Sequence, residues 1–453
     1  MDGGSSVSLA PLLSWLYNLC FPFVLAVLLP GYLWRMVRRG DYRENFGQRF
    51  GLFSNKLKHR LAEGPPPLWL QAVSVGEMLI ALKLLAALRH NSPGLRIVLS
   101  TTTTTGYRLA RAKAPADVEV IYTPVDLSSF VRRTFDLLRP TALVIVDGGL
   151  WPNQLWTARK HGVPAVLVNA RLSPRSERRF RRAGRLGAQM FALLDLVCVP
   201  EPGDVARWSS LGVPGEQVRH TGSIKYDDQA AAAQASTDSI EEREPRSDPR
   251  SFLTAIGVDA SRQILLAGST HPGEESLLAE AYRSLRSRFP RLFFIIVPRH
   301  VERSAEVVTA LEASGLKVLR RTGSPSSAVV SPPDVLLVDT TGELAAWYTV
   351  ATVVFIGKSL LGYGGQNPAE AIMAGKPVVF GPHMENFMDL VRQMKLAGGA
   401  IQVADTDGLV PAFSRLLGDE EERARLVAAA RQQLAAHHGA AGRTAALLLE
   451  ALA

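Results

Sequence analysis

The stretch "ALVIVDGGLWPN", Ala142–Asn153, joins a short apolar run to an abrupt polar end. Five apolar residues precede Asp147, and two glycines follow it. Such runs of Val, Ile and Leu are typical of strands that are buried on both faces of a parallel sheet. Ligands of open α/β sheets bind just outside the carboxyl ends of these strands, so the stretch predicts a site beside Asp147. The alternative is a turn, in which the aspartate caps nearby backbone and the glycines let the chain bend.

Similar apolar runs alternate with helical patterns along most of the chain. Two such sets are separated by Gln229–Arg250, which is rich in Ala, Ser, Glu, Asp and Pro. Strands that alternate with helices predict parallel sheets made of βαβ units, and the polar segment predicts a linker. We therefore predict an α/β protein with two Rossmann-like domains whose parallel sheets face each other across a cleft. The predicted boundaries are 1–40 for an N-terminal anchor and basic flank, 41–228 for the first domain, 229–258 for the linker and 259–453 for the second domain.

The composition of the 453 residues favours an anionic partner, because the formal net charge is +9. A nucleic acid, a phosphate-bearing substrate and a membrane surface all fit that charge. The cysteines, Cys20 and Cys198, are too few for a disulfide framework, which fits a reducing compartment. The sequence has no CxxC or HExxH pattern and so does not predict a metal site.

The N-terminal segment predicts a membrane anchor. No charged residue occurs from Gly3 to Trp34, and Trp15–Trp34 is long enough to cross a bilayer at roughly 20 residues. Pro22 and Pro30 leave open a bent helix that lies in the interface, and a buried helix of a soluble protein is the second alternative. A cleaved signal peptide is disfavoured because the basic n-region is missing. By the positive-inside rule the bulk of the protein is cytoplasmic, since the first basic residues follow the segment, at Arg35, Arg38, Arg39 and Arg43.

The tetrapeptide "SVGE", Ser74–Glu77, lies between a predicted strand and a predicted helix. Two roles fit Glu77 about equally. It can cap the helix, because carboxylates are favourable at helix N-termini. It can also act as a general base, provided that burial raises its pKa toward neutrality. Gly76 permits a tight turn and the close approach of a ligand.

Two further segments of the first domain carry polar side chains after strands. The threonines of "STTTTTG", Ser100–Gly106, predict a capped helix start, with phosphate or carboxylate binding as the alternative. The segment "NARLSPRSERRFRRAGR", Asn169–Arg185, carries seven arginines and one acid, Glu177. A solvated helix face usually explains such a run. In a chain with an apolar N-terminal segment, contact with anionic lipid or lipid phosphate is at least as strongly favoured.

Polar loops also follow successive strands in the second half: "GSTHPGEE", "VPRH", "DTTGEL" and "GGQNPAE". Arg299, in "VPRH", suits bidentate phosphate binding. The glycine-rich loop before Pro368 enters a helix whose free N–H groups can meet a phosphate, and Glu370 is then placed for sugar hydroxyls. The joint occurrence of these loops predicts a site for phosphate and sugar.

These motifs, together with "LWPN" and "GSIKYD", occur in the order seen in bacterial 3-deoxy-D-manno-octulosonic acid (Kdo) transferases, which the chain resembles over nearly its whole length. The resemblance implies a GT-B glycosyltransferase with an N-terminal membrane-anchor helix. It implies inverting, metal-independent transfer of Kdo from CMP-Kdo to a bisphosphorylated lipid A precursor at the cytoplasmic face of the anionic inner membrane. The first domain then binds the acceptor and the second binds CMP-Kdo. No cofactor and no nucleic acid partner are implied.

The resemblance also assigns roles to single residues. Glu77 matches the general base that takes the proton from the acceptor's primary hydroxyl. Lys225, in "GSIKYD", matches a lysine that stabilises the transition state. The residues matched to CMP binding are Pro298, Arg299, Gly342, Glu343, Leu344, Asn367, Pro368, Ala369 and Glu370. As candidates for contact with the acceptor or lipid phosphate we add Ser74, Arg171, Arg175 and Arg178.

One departure from the family concerns Gly149. The family usually has E-T-E-L-W-P-N where this chain has Asp147–Asn153, so the second glutamate, which has a supporting catalytic role, is replaced by glycine. Loss of such a stabilising group typically costs about 10²–10³ in rate. We predict that Asp147 takes part of the missing role.

Three functions follow from these observations. An active Kdo transferase is favoured because the chain has all of Glu77, Lys225, Arg299, Asn367 and Glu370. A GT-B enzyme that transfers another nucleotide sugar to a lipid is disfavoured by the combined "PRH", "GEL" and "NPxE" segments. A catalytically weakened homologue that only binds a lipid A precursor is favoured by the glycine at position 149 alone.

Overall fold

The computed structural model describes residues 14–25, 27, 31, 45–172, 174–227, 248–323 and 333–452. The chain divides into two compact units. The described residues of the first unit lie within Met1–Ile240 and His437–Ala453, and those of the second lie within Glu241–Ala436. Each unit contains one parallel sheet, which confirms the predicted pair of α/β domains.

The first unit is built on a sheet whose order, among the described strands, is β3-β2-β1-β4-β5-β6-β7, with every pair parallel. The strand order changes direction between β1 and β4. That switch point is where open α/β sheets bind ligands. The strands are β1 Leu68–Gln71, β2 Ile97–Thr101, β3 Glu119–Tyr122, β4 Ala142–Val146, β5 Ala165–Val168, β6 Leu196–Val199 and β7 Val218–His220.

Apolar side chains cover both faces of this sheet. Val144 packs in one buried cluster and Ile145 in the other, as the alternation of side chains along a strand requires. The apolar run before Asp147 is therefore a fully buried strand, as predicted. The helices are Asn55–Ala62, Val75–Asn91, Thr104–Lys113, Ser128–Leu138, Pro152–Lys160, Pro174–Ala183, Arg185–Phe191, Pro202–Ser209 and Ala440–Leu452, with 3₁₀ helices at Phe46–Phe50, Gly215–Gln217 and Ile224–Tyr226.

The last helix, Ala440–Leu452, belongs to the first unit, whereas we predicted that the second domain extends to residue 453. Leu448 on this helix and Leu84 on the helix Val75–Asn91 are fully buried in the same apolar cluster. The carboxylate of Asp227 fixes the start of the helix by accepting the backbone N–H groups of Gly439 at 3.1 Å and Ala441 at 2.7 Å. Burial of this apolar face against the first unit explains the placement.

The second unit has the strand order β10-β11-β9-β8-β12-β13-β14 among its described strands, again with every pair parallel. Its switch point lies between β8 and β12. The strands are β8 Ile264–Thr270, β9 Phe293–Pro298, β10 Val318–Arg320, β11 Val335–Leu337, β12 Val353–Ile356, β13 Val378–Phe380 and β14 Ile401–Gln402. The helices are Pro249–Ala255, Glu274–Arg286, Ser304–Ala313, Leu344–Tyr348, Ala369–Met373, Met388–Leu396, Leu409–Gly418 and Glu420–Ala435, with 3₁₀ helices at Val301–Arg303 and Glu385–Phe387.

The predicted linker, 229–258, lies mostly outside the described residues. Its last part is a helix of the second unit, Pro249–Ala255. Phe252 of that helix is buried, and its ring meets the ring of Trp347 edge to face with a centroid distance of 6.2 Å. The second unit therefore begins before residue 259, because an aromatic contact anchors this helix to it.

The predicted anchor, Trp15–Trp34, lies partly outside the described residues. Residues 14–25 are helical. The hydroxyl of Tyr17 donates to Asp126 at 2.9 Å, and the side-chain amides of Asn18 and Asn153 exchange hydrogen bonds at 2.9 and 3.0 Å. In the part of the chain that the structure describes, no helix has both the length and the apolar character needed to cross a membrane. Several large apolar side chains of this segment are exposed: Trp15, Leu16, Leu19, Phe23, Val24 and Val27.

Candidate active site

Glu77 and Asp147 follow β1 and β4, the adjacent strands at the switch point of the first sheet. Burial is the main reason why the pKa of Glu77 is raised above its ordinary value. The negative charge of Asp147 raises the Glu77 pKa further, while hydrogen bonds from Val73 and Ser74 lower it. A carboxylate with a raised pKa is a stronger base, so Glu77 is suited to accept a proton.

Glu77 is also part of a helix cap. Ser74 is the N-cap residue of the helix Val75–Asn91, and its hydroxyl accepts the backbone N–H of Glu77 at 3.3 Å. The Glu77 carboxylate in turn accepts the Ser74 hydroxyl at 3.2 Å and the backbone N–H of Val73 at 2.5 Å. This reciprocal arrangement is a variant of the capping box in which the carboxylate binds the N–H of the residue before the N-cap. Both roles predicted for Glu77 are therefore compatible, because the cap orients a carboxylate whose pKa is raised.

Asp147 stands in a left-handed backbone conformation, with φ of 70°. Such a conformation is uncommon for a residue other than glycine. Burial raises the pKa of Asp147, while the charges of Arg171 and Lys225 and the nearby Asn169 amide lower it. Among the described residues, no hydrogen-bond donor meets the buried Oδ1 atom of Asp147. The backbone N–H groups of Gly148 and Leu150 donate to the carbonyls of Val146 and Gly148, so the Asp147 side chain caps neither of them.

Lys225 lies in the 3₁₀ helix Ile224–Tyr226, which follows β7. Burial lowers the pKa of Lys225 to about 8, and the positive charge of Arg171 lowers it further, while Asp147 opposes both effects. Asp147 thus interacts electrostatically with both Glu77 and Lys225. The structure brings the three predicted catalytic residues into one cluster, with Arg171 beside them.

Two residues that the sequence did not single out hold Lys225 in place. The fully buried Asn169 accepts the backbone N–H of Ile224 at 3.0 Å and the hydroxyl of Ser223 at 3.3 Å. The ammonium of Lys83 donates to the carbonyl oxygen of Lys225 at 3.2 Å. Lys83 stands in the apolar run "MLIALKLLAALRH" on the same helix as Glu77. A single charged residue in an otherwise apolar helical stretch is the sequence feature that could have indicated a role for Lys83.

The threonine loop has the structural role that was predicted first. Thr103 is the N-cap of the helix Thr104–Lys113, and its hydroxyl accepts the N–H of Gly106 at 3.1 Å. A Cβ atom on Gly106 would lie 2.6 Å from Oγ1 of Thr101, so this cap requires glycine. The hydroxyl of Thr102 donates to the carbonyl of Val73 at 3.1 Å and thereby contacts the loop that leads to Glu77.

The arginine-rich segment contains the helix Pro174–Ala183. Glu177 pairs with Arg181 at 2.8 Å and with Arg207 at 2.7 Å, and these partners hold the pKa of Glu177 below its ordinary value. Arg178 is exposed on this helix. The side chain of Arg175 lies outside the described residues. Of the predicted lipid-contact residues, Arg171 and Ser74 lie beside the catalytic cluster.

The predicted donor-binding residues lie at the carboxyl edge of the second sheet. Pro298 ends β9, and the backbone N–H of the exposed Arg299 donates to the carbonyl of Thr270, the last residue of β8, at 3.1 Å. Gly342, with φ of 81°, and Glu343 precede the helix Leu344–Tyr348, which follows β11. The segment Asn367–Glu370 follows β12, with Pro368 as the N-cap and Ala369 as the first helical residue. The loops that carry these residues thus follow β9, β11 and β12, which lie around β8 in the sheet.

Glu274 connects two of these strand ends and was not predicted as a site residue. Its fully buried carboxylate accepts backbone N–H groups from the loops after β8 and β12. The donors are His271 at 3.0 Å, Lys358 at 2.7 Å, Ser359 at 3.0 Å and Leu360 at 3.0 Å. Glu274 therefore fixes both loops at the switch point of the second sheet.

Comparison with known proteins shows which family the chain resembles. The model of the family described as 3-deoxy-D-manno-octulosonic-acid transferase (kdotransferase) matches residues 44–228. A 3-deoxy-D-manno-octulosonic acid transferase of Haemophilus influenzae is 31% identical over 411 residues, which cover 90% of this chain and 90% of the relative. One of Bordetella pertussis is 34% identical over 415 residues, covering 88% of this chain and 90% of the relative.

Among solved structures, the UDP-GlcNAc 2-epimerase from Neisseria meningitidis bound to UDP-GlcNAc has a similar fold, with a TM-score of 0.56 and 12% identity. The match covers 85% of this chain and 99% of the epimerase chain. At that identity the likeness shows the fold alone and nothing about activity. The near-complete match to the two curated transferases, by contrast, confirms the resemblance of the motifs: the chain is a glycosyltransferase and belongs to the 3-deoxy-D-manno-octulosonic acid transferase family.

Proposed function

We propose that the protein transfers Kdo from CMP-Kdo to a bisphosphorylated lipid A precursor, with inversion and without a metal ion. The observation that carries this proposal is the coupled cluster of Glu77, Asp147 and Lys225 at the switch point of the first sheet. It joins two carboxylates of raised pKa and one buried ammonium group. The names of the curated relatives give the sugar that they transfer, and the resemblance of the motifs implies the donor and acceptor classes.

In the proposed reaction, Glu77 takes the proton of the acceptor's primary hydroxyl as that oxygen attacks the anomeric carbon of the donor. The bond from the anomeric carbon to the phosphate breaks, and its electron pair leaves with CMP. Asp147 raises the pKa of Glu77 and so strengthens the base. Lys225 supplies a positive charge where negative charge develops, which is the role that the family resemblance gives it.

We further propose that the protein works at the cytoplasmic face of the inner membrane. Two features of the first unit support this location. The helix at residues 14–25 exposes large apolar side chains, such as Phe23 at 71%. The helix Pro174–Ala183 exposes arginines, including Arg178. Apolar side chains that enter the interface and arginines that meet anionic headgroups act together in membrane binding.

An assay of transfer tests the proposed reaction. The purified protein is incubated with a lipid A precursor and with CMP-Kdo generated in situ, and the mass of the product lipid is measured. We expect the precursor to gain the mass of Kdo. No gain, beside a working family enzyme as positive control, would refute the proposed transfer. Lipid binding without any product would identify the weakened homologue, and a different mass gain from another nucleotide sugar would identify the other enzyme.

A pair of matched variants separates the two roles of Glu77. Ser74→Ala removes half of the capping box and is expected to cost about 0.5–2 kcal/mol of stability. Glu77→Gln keeps the size of the side chain but removes the base, so we expect turnover to fall by about 10²–10⁴. If Ser74→Ala lowers turnover as strongly as Glu77→Gln, the carboxylate acts only through the cap.

A flotation assay tests the membrane proposal. The full chain is mixed with vesicles of phosphatidylcholine alone or with added anionic phosphatidylglycerol. We expect stronger binding to the anionic vesicles, and we expect Arg178→Gln combined with Arg182→Gln to reduce that difference. Binding to neither vesicle would overturn the proposed location, while leaving the transfer reaction to be judged by its own assay.

A further inference from the structure

Lys358 stands just beyond β12, at the switch point of the second sheet, and none of the roles above uses its side chain. On the other side of β8 lies β9, which is followed by Arg299. Adjacent strands lie about 4.8 Å apart, and β9 and β12 flank β8. The backbones of Arg299 and Lys358 are therefore separated by two strand spacings, or about 10 Å. The loop carrying His271 stands between them, after the last strand residue of β8, Thr270. Side chains of this length can reach toward one ligand from both sides.

The backbone around Lys358 is strained and held in place. Lys358 has φ of 58°, and Ser269 at the end of the adjacent strand has φ of 56°. A Cβ atom on Gly357 would lie 2.3 Å from the carbonyl oxygen of Ser269, so the two strand ends are in close contact. The buried carboxylate of Glu274 binds the backbone N–H of Lys358 at 2.7 Å. Left-handed residues that the surrounding structure fixes in this way are concentrated at ligand sites.

Positive side chains stand around His271 at this edge, because the charges of Lys358, Arg303 and Arg299 all act on its ring. Among the described residues, no carboxylate lies within ion-pair distance of the side chains of Lys358 or Arg299. His271 lies between them, and its ring nitrogen Nε2 is 3.2 Å from Nε2 of Gln366. Burial, together with the neighbouring charge of Lys358, lowers the pKa of His271 to about 4, so this ring stays neutral at neutral pH. Two cations that lack a protein counter-ion at a strand edge favour an anionic ligand.

We propose that Lys358 binds the carboxylate of the sugar that is transferred, while Arg299 binds the phosphate of the same donor. This inference rests on the proposed function. The activated carbon of a CMP-linked ulosonic acid carries both a carboxylate and the phosphate, so such a donor presents two separate anions at its reacting end. A CMP-linked sugar without a carboxylate would leave Lys358 unpaired, which would give the site a preference for acidic sugars.

The test compares ligands that share the phosphate and differ in the sugar carboxylate. We measure the KM for CMP-Kdo generated in situ and the inhibition constants of CMP and UDP. The variants are Lys358→Met and Arg299→Met, with Lys317→Met as the control on an exposed side chain of the same unit. Methionine, like lysine, is unbranched at Cβ, so the substitution adds no strain to the left-handed backbone at position 358. Thermal unfolding and CMP inhibition check that each variant is folded.

We expect Lys358→Met to raise the KM for CMP-Kdo at least tenfold, because a lost hydrogen bond to a charged group typically costs about tenfold or more in binding. CMP inhibition should change less than about twofold, because CMP lacks the sugar carboxylate. Arg299→Met should weaken both ligands, and Lys317→Met neither. An equal loss for CMP and CMP-Kdo in Lys358→Met would show that this lysine binds phosphate. Inhibition by UDP that is tighter than by CMP and depends on Lys358 would assign it to a second phosphate. Either result, or an unchanged KM, overturns the proposal while wild-type transfer still supports the proposed function.

Discussion

Oδ1 of Asn169 accepts the backbone N–H of Ile224 at 3.0 Å and so ties the end of β5 to the residue before Lys225. The same oxygen accepts the hydroxyl of Ser223 at 3.3 Å. Asn169 is fully buried and left-handed, with φ of 52°. Asn169 also lowers the pKa of Asp147, so one residue acts on the aspartate and positions the lysine of the catalytic cluster.

We expect Asn169→Ala to lower turnover at least tenfold and to destabilise the protein by about 1–3 kcal/mol, since the N–H of Ile224 loses its buried acceptor. The matched control is Asn45→Ala. Asn45 is also left-handed, with φ of 54°, and its amide donates to the Tyr107 hydroxyl at 2.9 Å. The control should lose stability but keep turnover within about twofold. Steady-state kinetics and urea unfolding measure both quantities. An equal loss of turnover in the two variants would contradict the proposed role of Asn169 in positioning Lys225.

The strand pattern predicted the positions of Glu77 and Asp147 because both follow apolar runs directly. In a parallel sheet the carboxyl ends of adjacent strands share one edge, so two such residues meet without further information. The matched motifs added Lys225, which the structure places in the same cluster. The sequence therefore predicted those site residues that lie directly after strands or within recognised motifs.

The residues that support the site could not be predicted in the same way. Lys83 and Lys225 are 142 positions apart, and their contact is a bond from a side chain to a backbone carbonyl. Glu274 bonds to backbone N–H groups more than 80 positions away. Backbone donors and acceptors occur in nearly every residue, so no residue type marks such partners. The helix Ala440–Leu452 was assigned to the wrong unit for a related reason, because its apolar face fits any apolar surface.

The pKa values of the cluster predict a bell-shaped dependence of kcat/KM on pH. At low pH the rate falls as Glu77 gains a proton, and this limb lies above the ordinary range of a glutamate because burial raises its pKa. At high pH the rate falls as Lys225 loses its proton, at a pKa of about 8. Arginine stays protonated at these pH values, so Lys225→Arg should move the alkaline limb beyond pH 10 even if the maximal rate falls. An alkaline limb near 8 in that variant would assign it to another group.

The burial of Lys225 also predicts a gain of stability when its charge is removed. The pKa of Lys225 falls from 10.5 to about 8 on folding, so at pH 7 the folded state carries an unfavourable charge. We expect Lys225→Met to abolish turnover and to raise the free energy of unfolding at pH 7 by about 1–3 kcal/mol. The difference should shrink as the pH rises from 8 to 10.5, because the folded wild type then loses the charge first. Urea unfolding at both ends of this range tests it, with Lys58→Met on an exposed helix position as the control. Equal stability of Lys225→Met and wild type at pH 7 would contradict the assigned burial cost.

The last prediction concerns Gly149, where the surrounding atoms leave too little space for the glutamate that the family usually has. A Cβ atom at this position would lie 2.8 Å from Cγ2 of Val73. The backbone N–H of Val73 binds the Glu77 carboxylate, so a shift of Val73 would disturb the base. We therefore expect Gly149→Glu alone to lower both stability, by about 1–3 kcal/mol, and turnover.

The double variant Val73→Ala and Gly149→Glu removes the methyl group that the new side chain meets. We expect it to recover at least tenfold in turnover over Gly149→Glu, whereas Val73→Ala alone should change turnover little. The four proteins form a double-mutant cycle, whose interaction energy isolates the contact between positions 73 and 149. Additive effects would show that the contact with Val73 is not what lowers turnover in Gly149→Glu. A double variant faster than the wild type would show that the glycine is a catalytic deficit, which Asp147 offsets only in part.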